Sequence, residues 1–380
     1  MNALRNSRVK PSLAIVGAST RSAAASAVRA GFQPLAADLF ADADLRRIAT
    51  STRISPYPEG FEDWMRAIEP PAWMYTGALE NHPDLVDQMA WIAPLWGNPG
   101  DVLARVRSPW ELSRVLSAAG LLFPEMRRTA EGLSLDGSWL AKTYQGASGS
   151  GVRVLGKGQG GGSEPLCYQE RIDGAPCAAI FVAADGAAKL LGVTRQLIGE
   201  PWLGAHGFQY AGSIGPWPIS EVARETLVQL GNVLAEEFEL IGLFGVDFML
   251  HAGDVRTLEV NPRYTASVEI VERMTGVSAI AEHAAACGGM QMENQSVEIS
   301  KACGKATLFA RRDTVISEQF AEWSLAESAR EPWPALGDVS PAGTPIEAGR
   351  PILTIFSDGD GVAEVENKLR ARSAEIERLL

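Results

Sequence analysis

Three groups of residues in this 380-residue chain could do chemistry. The first is Asp247, Glu259 and Asn261, set in the runs Gly245-Val246-Asp247-Phe248 and Thr257-Leu258-Glu259-Val260-Asn261-Pro262-Arg263. These runs read as adjacent antiparallel strands around a tight turn at Gly253-Asp254. Side chains alternate faces along a strand, so Glu259 and Asn261 point the same way, and Asp247 can join them from the partner strand. Two carboxylates and an amide oxygen are hard donors of the kind Mg²⁺ prefers, and like charges so crowded are costly without a cation between them. The bland alternative is a solvated hairpin face. Leu258 and Val260 take the opposite side, which favours a cleft.

The second group is Lys142 and the loop Gly146, Ala147, Ser148, Gly149, Ser150 and Gly151. Loop N–H groups and serine hydroxyls can reach phosphate oxygens, and glycines permit the close approach. It is not a Walker loop, because Lys142 precedes the glycines and no Gly-Lys-Ser/Thr follows. Taken alone, an ordinary flexible turn fits it as well. The third group is Tyr168-Gln169-Glu170-Arg171-Ile172-Asp173-Gly174, an apolar strand whose end could offer backbone groups to an adenine edge. By itself it is nonspecific.

The elements that position these groups follow from periodicity. Residues 12–17 are a short apolar run ending in glycine, and residues 32–37 a second, with an alanine-rich helix over 23–30 between them. Residues 72–77 give another buried strand, 84–92 a helix, and Ser108-Pro109 opens a helix to Ala119. This is an open α/β pattern. From Phe123 the texture changes to short strands at 138–142, 152–155 and 166–172, with five glycines crowded into 156–162. A hairpin follows over 177–184 and 189–196, turning at Asp185-Gly186. Helix 220–238 and a terminal helix with Val362, Val365, Leu369, Ile376 and Leu379 on one stripe are amphipathic.

Composition narrows the function. At 46% hydrophobic and 21% charged residues the chain belongs to the folded, globular class. A net charge of −12 with no basic cluster argues against nucleic-acid binding. The longest apolar runs fall far short of the roughly 20 residues a membrane-spanning helix needs. The apolar stretch near the N-terminus is too short for a signal peptide. Cys167, Cys177, Cys287 and Cys303 form no C-x-x-C pair and the four histidines are scattered, so neither disulfides nor zinc are expected and a cytoplasmic location is.

In this order and spacing the three groups resemble the ATP-grasp superfamily, over roughly residues 109–287, and most closely its carboxylate–amine ligases, whose signature ends in a G-V-D-F…E-V-N-P-R run. The resemblance implies an N-terminal open α/β (pre-ATP-grasp) domain over 1–107 and a two-lobed ATP-grasp fold over 108–296, with a mobile lid about 123–196. A small C-terminal β-rich appendage with a terminal helix would occupy 297–380; the run 342–352 is similar to β appendages in the superfamily and in biotin carboxylase. The fold class is therefore mixed α/β and α+β. Lys142 would contact the phosphates of ATP and take part in catalysis, and Gly146 to Gly151 would close over them. Glu170, Arg171 and Ile172 would be the hinge beside adenine. Asp247, Glu259 and Asn261 would hold Mg²⁺, with Mn²⁺ an alternative, and Arg263 would meet the transferred phosphoryl group. Asp38, Glu80, Arg195 and Arg263 are candidates for substrate recognition. Two departures stand out: Cys177 replaces a ribose-binding glutamate, and Ser108-Pro109 replaces an Asp-Lys pair.

The activity this implies is ATP-dependent amide (or similar C–N) bond formation through an acyl phosphate. Its partners would be a small-molecule carboxylate and an amine, in cofactor or amino-acid-conjugate biosynthesis such as a one-carbon cofactor pathway, and the enzyme would be a homodimer. Two alternatives stand beside it. Val16-Gly17-Ala18-Ser19-Thr20-Arg21 suggests an NAD(P)-binding oxidoreductase, against which the missing G-x-G-x-x-G counts. A non-catalytic ATP sensor on the same fold is the other.

Overall fold

The computed structural model describes residues 10–144, 146, 148–156, 166–288, 301–331 and 333–380. Ala147, most of the glycine run 156–162 and the expected boundary at 296 lie outside the described residues.

The N-terminal unit is a parallel sheet in the order Thr50–Arg53, Gln33–Asp38, Ser12–Val16, Trp73–Tyr75. Its inner strands are continuous apolar runs, as strands buried on both faces must be. The helix between the first two spans Arg21–Arg29. It starts two residues before the alanine run, because Arg21 is itself drawn into the interior.

Eight strands form the large sheet, all paired antiparallel, in the order Asp254–Asn261, Gly242–His251, Ala175–Ala184, Ala187–Ile198, Tyr210–Gly215, Ala302–Phe309, Pro351–Gly359, Leu336–Gly337. The small sheet contains Met126–Arg127, Leu166–Glu170, Asp136–Thr143 and Val152–Gly156. The hairpin through residue 196, grouped with the lid in the sequence reading, therefore runs in the large sheet. Its alternate residues Ala179, Phe181 and Val193 are buried there. The C-terminal strands likewise extend the large sheet: Ala302–Phe309 pairs directly with Tyr210–Gly215.

Strand alternation gives the large sheet two apolar faces. Ile180, Val182 and Leu243 meet Leu13 and Ile15 of the N-terminal unit and Val268, Val271 and Met274 of the helix Val268–Thr275. On the other face Phe181 stacks on Phe244 at 4.9 Å between ring centroids. Helix Glu221–Phe238 covers that face with Leu227, Leu230 and Leu234. Ser220 caps this helix by accepting the Ala223 N–H. Among the described residues no helix is long and apolar enough to cross a membrane.

His283 ties three elements together. Its Nδ1 accepts the Leu243 N–H at 2.8 Å and its Nε2 lies 3.2 Å from the Trp96 carbonyl, so the neutral Nε2–H tautomer satisfies both. Burial pushes the imidazole down to about 4. A histidine depressed below its unfolded value stabilises the fold above about pH 6.5, and that contribution is lost as pH falls from there through about 4. The melting temperature of His283→Gln should therefore fall less steeply over this window than that of the parent. Equal slopes would contradict the buried neutral assignment.

Candidate active site

Asp247 stands directly opposite Glu259, and Asn261 opposite Gly245. A bulge at this point leaves Leu258 without a partner across the ladder. All three polar side chains thus leave the sheet on the face that carries Ile180 and Leu243. The same face supplies Gln196, whose Nε2 donates to Asp247 Oδ1 at 2.8 Å. Asn261 Nδ2 donates to Asp247 Oδ2 (3.1 Å), and Arg263 Nη2 donates to Asn261 Oδ1 (3.1 Å). From the small sheet, Lys142 Nζ approaches Glu259 Oε2 at 3.7 Å and donates to Gln169 Oε1 at 3.2 Å. The two sheets therefore face each other across Lys142 and Glu259.

Burial, and then the charge of Glu259, push the Asp247 carboxyl up to about 8. Desolvation also works to raise Glu259, but Lys142 and then Arg107 outweigh it and hold that carboxyl below its usual range. The crowding of the two carboxyl groups thus raises the proton affinity of the pair, which a cation between them would relieve. The Glu259 side chain is 52% exposed, so the cleft is open to a ligand. Among the described residues no group of three or more His, Cys, Asp or Glu is placed to hold a metal ion. Two adjacent carboxylates still fit Mg²⁺, which is commonly held by one or two carboxylates with phosphates and water filling the other positions. Asn261 serves here as a tie between Asp247 and Arg263, and its oxygen, which accepts one hydrogen bond from Arg263, keeps a second lone pair for a ligand.

The glycine loop is docked. Ser148 accepts the Tyr210 N–H through its carbonyl (3.1 Å), and Gly151 accepts the Thr143 N–H (3.1 Å). At Gly149, with φ +79°, a Cβ would lie 1.8 Å from the Phe208 carbonyl oxygen. Gly149→Ala should therefore block docking while leaving the two sheets folded. The expected result is a weaker ATP-dependent stabilisation with a nearly unchanged melting temperature of the free protein. Unchanged ATP-dependent stabilisation would show that the docked loop plays no part in binding.

Of the expected hinge, Glu170 and Arg171 already spend their backbone N–H groups on the Glu125 and Ser138 carbonyls, at 2.9 and 2.8 Å. An adenine edge would therefore have to use other backbone groups of this segment. Cys177 is fully buried against the hydrophobic core, and burial pushes its thiol up to about 12. Ser108 and Pro109 begin the helix Pro109–Ala118: the serine hydroxyl accepts the Glu111 N–H, and proline sits where no N–H is needed.

The expected substrate residues separate. Glu80 lies beside the site, with Oε1 2.5 Å from Arg263 Nη2 and 3.4 Å from Arg107 Nη1. Asp38 does not face a cleft. It is fully buried and accepts hydrogen bonds from the Thr20 N–H and hydroxyl and from the Phe40 and Ala41 N–H groups, which fixes the turn after its strand. Arg195 is also excluded. Cys177 and Ile214 are its ladder partners, so it leaves the sheet on the face opposite Asp247, where it pairs with Glu366 and lies over the Trp217 ring. Gln196 and Arg107 were not anticipated, nor was the bond of the Gln169 side chain to Lys142. Gln196 was within reach of the sequence, being one step of strand alternation from Arg195.

A family model described as an ATP-grasp domain matches residues 106–267. The carbamoyl phosphate synthase large chain of Neisseria meningitidis is 29% identical over 115 residues, covering 30% of this chain and 11% of that protein. That of Myxococcus xanthus is 32% identical over 107 residues, 28% of this chain and 10% of the other. The chain thus aligns with about a tenth of the length of these curated relatives. Among solved structures, the biotin carboxylase domain dimer of Hydrogenobacter thermophilus 2-oxoglutarate carboxylase, in complex with MgADP, ADP and bicarbonate, superposes with a TM-score of 0.72 at 14% identity, covering 94% of this chain and 88% of that one. Staphylococcus aureus N5-carboxyaminoimidazole synthetase complexed with ADP gives 0.70 at 15% identity, covering 98% and 100%.

Proposed function

Residues 106–267 of this chain are an ATP-grasp domain, and on that premise we propose that the protein is an ADP-forming carboxylate–amine ligase. The observation that carries this reading is the Asp247–Glu259 pair facing Lys142 across the two sheets. In the first step a carboxylate oxygen of the acid attacks the γ-phosphorus of ATP. The bond from that phosphorus to the β–γ bridging oxygen breaks, and ADP leaves with the electron pair. In the second step the amine nitrogen attacks the acyl carbon, the acyl C–O bond breaks, and phosphate departs carrying the charge while the amine gives up a proton. Catalysis of this kind is positioning and charge stabilisation, and it needs no nucleophilic side chain.

Asp247 and Glu259 would hold Mg²⁺, with the Asn261 oxygen as a third donor; when bound, the ion neutralises phosphate charge. Lys142 supplies a cation from the small sheet, and the docked loop shields the phosphates from water. Arg263, held by Glu80 and Asn261, presents its guanidinium to the acyl phosphate. The substrates are small molecules, and a homodimer is part of the proposal, open to light scattering. The test is release of ADP from Mg·ATP across a panel of acids paired with amines. ADP release that requires one acid and one amine supports the ligase. AMP as the product, or ATP turnover indifferent to every acid and amine, contradicts it.

A further inference from the structure

Residues 199–209 join the strands Ala187–Ile198 and Tyr210–Gly215 and touch two separate parts of the molecule. The connection is closed on itself. The Gly199 N–H donates to the Gln209 carbonyl at 2.8 Å and the Gln209 N–H to the His206 carbonyl at 3.0 Å. The Leu203 and Ala205 N–H groups share the Glu200 carbonyl, at 3.0 and 3.2 Å. Paired in this way, the segment is a compact loop that moves as one piece.

One end is fixed in the C-terminal segment. Leu203 and Ala205 are buried in a core with Leu308, Leu353 and Leu369. Arg311 Nη2 donates to the Pro201 and Trp202 carbonyls at 2.9 and 3.3 Å, and the Ser373 hydroxyl to the Trp202 carbonyl at 3.3 Å. The Arg370 guanidinium lies over the Trp202 ring, 4.5 Å from its centroid. Arg370 and Ser373 stand on the helix Val362–Glu377. Val365 and Leu369 of that helix share a core with Ile214, on the sheet face opposite Asp247.

The other end receives the glycine loop. The Tyr210 N–H donates to the Ser148 carbonyl, and Gly149 lies against the Phe208 carbonyl. Tyr210 Oη and Ser213 Oγ are 2.8 Å apart, as are Ser213 Oγ and Ser267 Oγ, which holds Tyr210 on the cleft face. A loop of glycines and serines has little side chain to grip with. Its docking rests on backbone contacts, and a hydrogen bond weakens steeply when donor and acceptor shift. The receiving surface must therefore be held still. We propose that residues 199–209 are a strap through which the C-terminal segment positions the glycine loop. Trp202, Arg311 and Ser373 hold the anchored end of the strap and are positioning residues: they act on Mg·ATP through Phe208, Tyr210 and the docked loop. A binding-competent state that is only partly populated lowers affinity by that fraction, so a loosened strap weakens ATP binding with no contact to ATP removed.

For its effect on binding, the strap rests on the reading of the cleft as an Mg·ATP site; for its mechanics it does not. In the full-length protein without nucleotide, hydrogen exchange at the Tyr210 amide reports docking, because its acceptor is the Ser148 carbonyl. Two variants loosen the anchor. Gly204→Ala puts a methyl group 2.7 Å from the Phe309 carbonyl oxygen. Arg311→Met with Ser373→Ala removes the hydrogen bonds to the Pro201 and Trp202 carbonyls and keeps Leu203 and Ala205 in place. Both should speed exchange at Tyr210 about fivefold or more, the scale of one net hydrogen bond. Calorimetric titration should show Mg·ATP affinity lowered about threefold or more. Gly149→Ala has already undocked the loop, so adding either strap change to it should cost no further affinity; a strap that acted on ATP by another route would add its loss in full. Parent-like exchange at Tyr210 in the Arg311→Met, Ser373→Ala protein, or full additivity with Gly149→Ala, would overturn the strap. A parent that binds no Mg·ATP while Tyr210 exchange responds as expected would uphold the coupling and count against the ATP reading.

Discussion

Glu259→Gln is expected to reduce Mg²⁺-dependent ADP release by about 10²–10³-fold, the scale at which removal of one preorganised electrostatic group slows a polar reaction. The substitution keeps the size of the side chain and its place opposite Asp247, and removes the charge that Lys142 approaches. Without Glu259 the second cause that raises Asp247 disappears, so Asp247 moves back toward the ordinary carboxylate range. The metal-free variant should therefore melt no lower than the parent, because one of two crowded carboxylates has gone. Steady-state ADP release and paired melts with and without Mg²⁺ read both consequences. Full metal-stimulated turnover in the variant would remove Glu259 from the site.

The largest expected effect on stability lies elsewhere. Arg21 is 4% exposed and bonds Glu269, with Nη2 to Oε2 at 3.1 Å, and Asp338, with Nε to Oδ1 at 3.0 Å, while Asp44 lies at 3.8 Å. It thereby joins the N-terminal unit to the helix Val268–Thr275 and to the C-terminal segment. Lys305, 3.2 Å from Glu269, and the more distant Arg29 would remain to balance these carboxylates. Removing one member of a buried ion pair strands the others, so Arg21→Met should cost about 3–5 kcal/mol. Urea unfolding measures it. A loss under about 1 kcal/mol would mean that water or rearrangement satisfies the carboxylates.

The paired carboxylates were legible in the sequence because period-two alternation and a glycine turn fix a hairpin's faces locally. Arg195 had no such local argument behind it, since its face is set by the neighbouring strands Ala175–Ala184 and Tyr210–Gly215. Asp38 looked available since it ends a strand at a sheet edge, where ligands often gather; its burial depends on Thr20 and on the turn that follows it. Arg21, Glu269 and Arg107 carry no local signal at all. Each sits in a segment where a charged residue reads as a solvated face, and its partner is supplied by an element far along the chain; Glu269 lies 248 residues from Arg21. The continuity of the large sheet into the C-terminal segment was hidden for the same reason, since the pairing of Ala302–Phe309 with Tyr210–Gly215 spans a long connection.

The central claim is that the cleft between Lys142 and the Asp247–Glu259 pair binds Mg·ATP. Calorimetric titration of the protein with Mg·ATP tests it most directly, with Lys142→Ala and an EDTA control in parallel. One saturable site is expected, lost in EDTA and weakened about tenfold or more by Lys142→Ala, the order of a lost charge-assisted phosphate contact, with the circular dichroism of the variant unchanged. No saturable heat at millimolar Mg·ATP, or equal binding by Lys142→Ala and the parent, would contradict it.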